Sequence, residues 1–175
     1  MTEIQRLKQR VKIVLCLFMI GVVLSGLTAF SLEWELYILF RWIGNPNNQF
    51  ITSASGLADW ITHVYRALQV TYRQYPFIAY GTDWLAFAHI VIAIAFWGPL
   101  KDPVRNRWVI EFGLITCVLV LPLALIMGPL RGIPFFWRLI DCSFGVVGFI
   151  PLWWCRNMVL RIEKLASTGA PAAVS

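Results

Sequence analysis

Hydrophobic residues along this chain gather into four long blocks. Val14 to Phe30, Trp84 to Leu100, Phe112 to Leu130 and Cys142 to Cys155 each lack Asp, Glu, Lys and Arg. A helix needs roughly twenty apolar residues to cross the hydrocarbon core of a bilayer. With their flanking apolar positions, the blocks predict membrane spans at about 11–31, 82–100, 108–130 and 134–155. The first follows a basic start (Arg6, Lys8, Arg10, Lys12). It exceeds the about 7–15 residues of a signal-peptide core and no small-residue cleavage site follows it, so it is read as a retained helix.

A different period appears between the first two blocks. Leu57, Trp60, Ile61, Val64 and Leu68 recur at intervals of three and four, with Asp59, His63, Arg66 and Arg73 on the opposite face. That is the pattern of an amphipathic helix, expected over about 55–73, and Trp60, Tyr65 and Tyr72 suit a position at the membrane interface. Gly44-Asn45-Pro46-Asn47-Asn48 marks a turn before it. Pro122 is expected to kink the third span. The fold class is an all-α integral membrane protein: four transmembrane helices in a bundle plus one amphipathic interfacial helix in the first outer loop. A single domain covers 1–166, and the small-residue stretch 167–175 is expected to be a disordered tail.

Composition supports this picture. The chain is 59% hydrophobic and 14% charged, against about 45–50% and about 25% in soluble domains. Its net charge of +6 does not point to nucleic acid, because the basic residues flank the apolar blocks. Ten of them lie in the N-terminus, in the Lys101–Arg107 loop and from Arg156 onward; five (Arg41, Arg66, Arg73, Arg131, Arg138) lie on the other side. This asymmetry favours both termini inside, which corresponds to a bacterial inner membrane with cytoplasmic termini. Cys16, Cys117, Cys142 and Cys155 all fall within apolar blocks without C-x-x-C spacing, and read as small buried hydrophobes.

Candidate chemistry collects toward one membrane face. Glu33 and Glu35 follow the first span, Asp83 opens the second with His89 deeper in it, Arg131 closes the third, and Arg138 and Asp141 open the fourth. Charges are costly in hydrocarbon and by default mark function. Asp141 is the sharpest case. Only fourteen uncharged residues separate it from Arg156, so it must lie within the span, about 9 Å along the helix from Phe135.

Helical phase aligns Asp141 with Gly145, Gly148 and Leu152, a stripe of small residues suited to close helix contact. Similar stripes run through Gly21, Ser25 and Thr28 toward Glu35, through Cys117, Val120 and Ala124 toward Arg131, and through Ala86, His89 and Ala93. The candidate ligand-binding set is therefore Asp141, Arg138, Arg131, His89, Asp83, Glu35, Trp84 and Trp137. Asp141, His89 and Glu35 are the candidate acid–base groups.

Each has a structural alternative. Arg138 and Asp141, three residues apart, suit an ion pair. His89 suits a hydrogen-bonded position between helices, Asp83 a helix cap, and Glu111 an i,i+4 pair with Arg107. Asp59, His63 and Arg66 suit a solvated face. With two histidines and no metal-ligand spacing, neither a metal nor a cofactor is expected.

The leading function is therefore non-enzymatic: an accessory subunit, or a binding protein for a lipophilic or small ligand, with a polar site in the outer-leaflet half of the bundle. The alternatives are an intramembrane acid–base enzyme acting on a lipophilic substrate, and a dimeric proton- or ion-coupled carrier. Expected partners are membrane lipids, a lipophilic ligand, and a second copy or a larger membrane complex, with no nucleic acid.

Overall fold

The computed structural model describes residues 2–43 and 55–168. Every element among them is helical: α1 Glu3–Phe30, α2 Leu32–Ile43, α3 Ser55–Gln74, a 3-10 turn Pro76–Ala79, α4 Tyr80–Ala95, α5 Trp97–Lys101, α6 Arg107–Pro122, a π-helical turn Leu123–Met127, α7 Gly128–Leu130 and α8 Phe135–Thr168. Four stretches are long and apolar enough to cross a membrane: Glu3–Phe30, Pro76–Lys101, Arg107–Leu130 and Phe135–Thr168. The expected turn at Gly44–Asn48 lies outside the described residues.

Several boundaries differ from the sequence expectation. The first span does not run on toward Glu35: α1 ends at Phe30, and α2 is an additional helix. Its signal was present, since Leu32, Leu36, Phe40 and Ile43 share a face, with Glu33 and Glu35 in the first turn and Arg41 in the last, as the helix dipole favours. The fourth helix does not stop at Cys155 but continues to Thr168, so residues 167 and 168 are helical. Charges after Cys155 end an apolar span without ending a helix. Pro122 does perturb its helix. It offers no N–H to the preceding turn, and the chain continues as the π-helical turn Leu123–Met127.

The chain forms two compact units, Met1–Gly21 with Ala93–Ser175, and Val22–Ile92. In the first, α6 and α8 pack closely. A Cβ added to Gly145 would stand 2.5 Å from the Cys117 carbonyl oxygen, and one added to Gly148 would stand 3.0 Å from the Cys117 Sγ. A Cβ on Gly113 would meet Leu152 and Phe96 at 2.7 Å. The stripes expected on α6 and α8 therefore face each other, as small residues allow. Around them Val11, Leu15, Phe96, Ile110, Leu152 and Val159 are buried, and Phe18 packs on Phe96. Other faces are apolar and outward: Leu17 is 65% exposed, Leu119 58% and Val147 68%.

An ion network joins the ends of these helices. Glu111 accepts from Arg107 (3.3 Å) and Arg156 (3.2 Å), Arg107 also donates to Glu163 (2.8 Å), and Arg161 pairs with Glu3. The Arg107 pairing with Glu111 follows from their i,i+4 spacing; the other partners come from α8 and α1. The cysteines are not uniformly buried: Cys155 is, Cys117 and Cys142 are half-buried, and Cys16 is exposed among apolar neighbours.

In the second unit, α3 packs on α2 through Ile61 and Tyr65, with Tyr65 stacked on Phe40 at 5.0 Å. The end of α1 meets α4 through Gly26, where an added Cβ would stand 2.6 Å from the His89 Cβ and 3.1 Å from the Ala86 carbonyl oxygen. This corrects the α1 stripe. Gly21, Ser25 and Thr28 are exposed, whereas Gly26 and Ala29 are buried.

Gly145→Leu should therefore destabilise the protein by about 1–3 kcal/mol through overpacking against a backbone carbonyl. Gly21→Leu should not, because nothing lies within 4 Å of the added carbon. Thermal unfolding in detergent, followed by circular dichroism, separates the two; equal shifts would refute the assigned contact.

Candidate functional site

The candidate residues divide between the two units. Arg131, Trp137, Arg138 and Asp141 belong to the first; Glu35, Asp83, Trp84 and His89 belong to the second.

In the first unit, α7 ends in a turn built by the backbone. The Arg131 N–H donates to the carbonyls of Met127 and Gly128, Gly132 adopts φ +70°, and the Ile133 N–H returns to the Gly128 carbonyl at 2.9 Å. Glycine suits this left-handed position. The turn leaves the Arg131 side chain exposed. Arg138 lays its aliphatic stem against Gly128 and its guanidinium over the Phe135 ring at 5.1 Å. Its Nε is buried without a hydrogen-bond partner among the described residues.

The expected Arg138–Asp141 ion pair is not among the ion pairs of the described residues. Helical side chains lean toward the helix N-terminus, and contacts with Gly128 and Phe135 hold Arg138 in that direction. Asp141 is half-buried, one turn before the Gly145 crossing, and Trp137, one turn earlier again, is half-buried as well.

In the second unit, His89 is held from two sides. Its Cβ closes on Gly26, and its Nδ1 lies 2.8 Å from the Leu85 carbonyl oxygen. A carbonyl only accepts, so Nδ1 donates, and in the neutral ring Nε2 is left as an acceptor. The hydrogen bond of His89 is thus to its own helix, and it meets α1 through its Cβ. Glu35 accepts from the Ser31 hydroxyl at 3.3 Å, and its N–H donates to the Ser31 carbonyl at 3.0 Å, where α1 gives way to α2. Asp83 is no cap: α4 begins at Tyr80, placing Asp83 in its first turn, where a carboxylate complements the helix dipole. Trp84 is exposed, in edge-on contact with Tyr80 and Phe87.

Beside this segment lies a cavity of about 450 Å³. Its wall is formed by Ala29, Phe30, Ser31, Leu32, Glu33 and Trp34 at the α1–α2 junction, by Tyr37, Tyr65 and Tyr72 on the α2–α3 pair, and by Ala79, Thr82 and Asp83 leading into α4. Asp83 is thus brought to a cavity with Glu33, while Glu35 and His89 are not among its lining. The tyrosines were missed as site residues. Tyr65 and Tyr72 stand seven apart, two turns on one face of α3, and only the pairing with α2 gives that face a partner. Arg41 holds Tyr37 from one side, with a hydrogen bond of 3.3 Å to the hydroxyl and its guanidinium 5.9 Å from the ring centre.

A second, more open hollow of about 560 Å³ runs along α3 past Asp59, His63 and Arg66. Its walls belong to one helix, in keeping with the solvated face expected there. Among the described residues there is no group of three or more His, Cys, Asp or Glu placed to hold a metal.

No protein-family model, curated relative or solved structure matches this chain.

Asp141→Asn gives a direct measure of what Asp141 contributes. Breaking a buried ion pair costs about 3–5 kcal/mol. Without that pair, the substitution should leave the thermal midpoint in detergent within about 2 °C of the parent, a shift corresponding to less than about 1 kcal/mol at this chain length. A fall of ten degrees or so would reinstate the ion pair.

Proposed function

We propose that this protein is a polytopic integral membrane protein of non-enzymatic kind that binds a lipophilic or amphiphilic small molecule, alone or as the accessory subunit of a larger membrane complex. The cavity of about 450 Å³ in the unit Val22–Ile92 carries this reading. Small-molecule sites typically measure about 300–1,000 Å³ and combine aromatic or apolar walls with a few polar groups. This lining has that composition, with Trp34 and three tyrosines beside Glu33, Asp83, Ser31 and Thr82.

Depth supports the same reading. The cavity wall includes Phe30, where the first apolar stretch ends, and Ala79 to Asp83, near the start of the second. That is the level of the membrane interface, where tyrosine and tryptophan concentrate. In the proposed arrangement α3 lies on the interface as an amphipathic helix, with Ile61 and Tyr65 turned inward and His63, Arg66 and Arg73 outward. Both termini then lie in the cytoplasm of a bacterial cell and the cavity opens toward the outer face, following the asymmetry of Lys and Arg.

Native mass spectrometry of the protein, purified from its membranes in mild detergent, tests the binding role. One small molecule per chain is expected on the parent protein, and none on Ala79→Trp, which fills the cavity. An adduct that survives Ala79→Trp, or none on either protein, would overturn the assignment.

A further inference from the structure

We propose that the occupant of this cavity is a single-chain amphiphile with a positively charged ammonium headgroup, an inference that rests on the binding role proposed above. Two carboxylates, Glu33 and Asp83, line the cavity. Neither forms an ion pair or a side-chain hydrogen bond among the described residues, and the segments outside them, 44–54 and 169–175, contain no lysine or arginine. No basic side chain is among the residues that line the cavity. Arg41 lies over Tyr37, and Arg66 and Arg73 are exposed on α3.

The other walls suit a cation as well. Trp34 and Tyr72 supply electron-rich rings, faces that quaternary ammonium matches best, whereas Tyr65 is stacked on Phe40. Arg41 already uses Tyr37 in this way. An anionic headgroup would meet two like charges. A neutral one would displace water from both carboxylates without replacing its hydrogen bonds. The depth of the cavity then suits the rest of the molecule, with the ammonium at the headgroup level and the chain following the apolar residues Ala29 and Phe30 toward the hydrocarbon.

Equilibrium dialysis of radiolabelled decyltrimethylammonium against the full-length protein in maltoside detergent, with empty micelles subtracted, tests the proposal. Saturable binding of one molecule per chain is expected, with decanol competing at least about tenfold less well. Glu33→Gln and Asp83→Asn should each weaken binding by about tenfold, the loss of one charge-assisted contact. Glu33 is exposed, so Glu33→Gln carries the test even where Asp83→Asn perturbs α4. Displacement by dodecylphosphocholine would support the proposal with a lipid headgroup as the natural source, and its failure to displace would support a free amine amphiphile. If decanol competes equally and the variants bind unchanged, the cationic class is overturned while the binding role stands. If neither probe binds saturably, both fall.

Discussion

The packing of the unit that holds α6 and α8 depends on one close approach: the α8 backbone at Gly145 against the Cys117 carbonyl of α6. Between membrane helices the hydrophobic effect supplies little attraction, because lipid tails are as apolar as leucine side chains. Association then rests on dispersion, which falls steeply with distance. A missing Cβ at the crossing lets neighbouring contacts form on both sides. Toward the charged end, Leu152 reaches Gly113 and Phe96; toward the other, the Arg138 stem reaches Gly128. Between Gly145 and Arg138 the partner helix passes through the π-helical turn that follows Pro122. Glycine at Gly113, Gly128 and Gly145 thus recurs at the contacts along this pair, and a larger residue at any of them would separate the helices locally.

Those contacts explain what the sequence made legible. The small-residue stripes on α6 and α8 were readable because each has one phase, set by Cys117, Val120 and Ala124 on one helix and Gly145, Gly148 and Leu152 on the other. The α1 stripe was misread because two phases compete there. Gly21, Ser25 and Thr28 are small and slightly polar, which suggested an interface, but Gly26 and Ala29 are the buried pair. Size at the point of contact decided the outcome, and the contact itself comes from α4, far away in sequence. The second helix was hidden for a related reason. Its carboxylates at Glu33 and Glu35 were read as an extension of the first span, although they occupy the first turn of a separate helix.

The candidate site was legible in part. Convergence of charges toward one end of the spans drew attention to Asp83 and Glu33, both read first as helix-end carboxylates, and both are among the residues that line the cavity. Sequence depth could not tell a carboxylate that lines a cavity from one engaged by its own helix. Glu35 is bonded to Ser31, whereas Glu33, two residues earlier, is among the residues that line the cavity. The aromatic half of the lining depends on the pairing of α2 with α3, which no local pattern announces. Tyr37 and Tyr65 meet with ring centres 6.0 Å apart where α2 packs on α3, the helices that also bury Leu36 and Ile61.

Two carboxylates beside an aromatic wall constrain what the site can accept. While the cavity is open, water solvates Glu33 and Asp83, and their charges cost little. An occupant that displaces this water lowers the solvation of both groups, of half-buried Asp83 more than of exposed Glu33, and a desolvated charge without a partner is unfavourable. A purely apolar occupant would gain only the burial of its own surface, about 25 cal/mol per Å², set against the lost solvation of carboxylates left without a partner. A cationic headgroup would reverse that balance, because the groups that penalise other occupants would become its ligands. The selectivity of the cavity would thus arise from what desolvation penalises as much as from what the lining attracts.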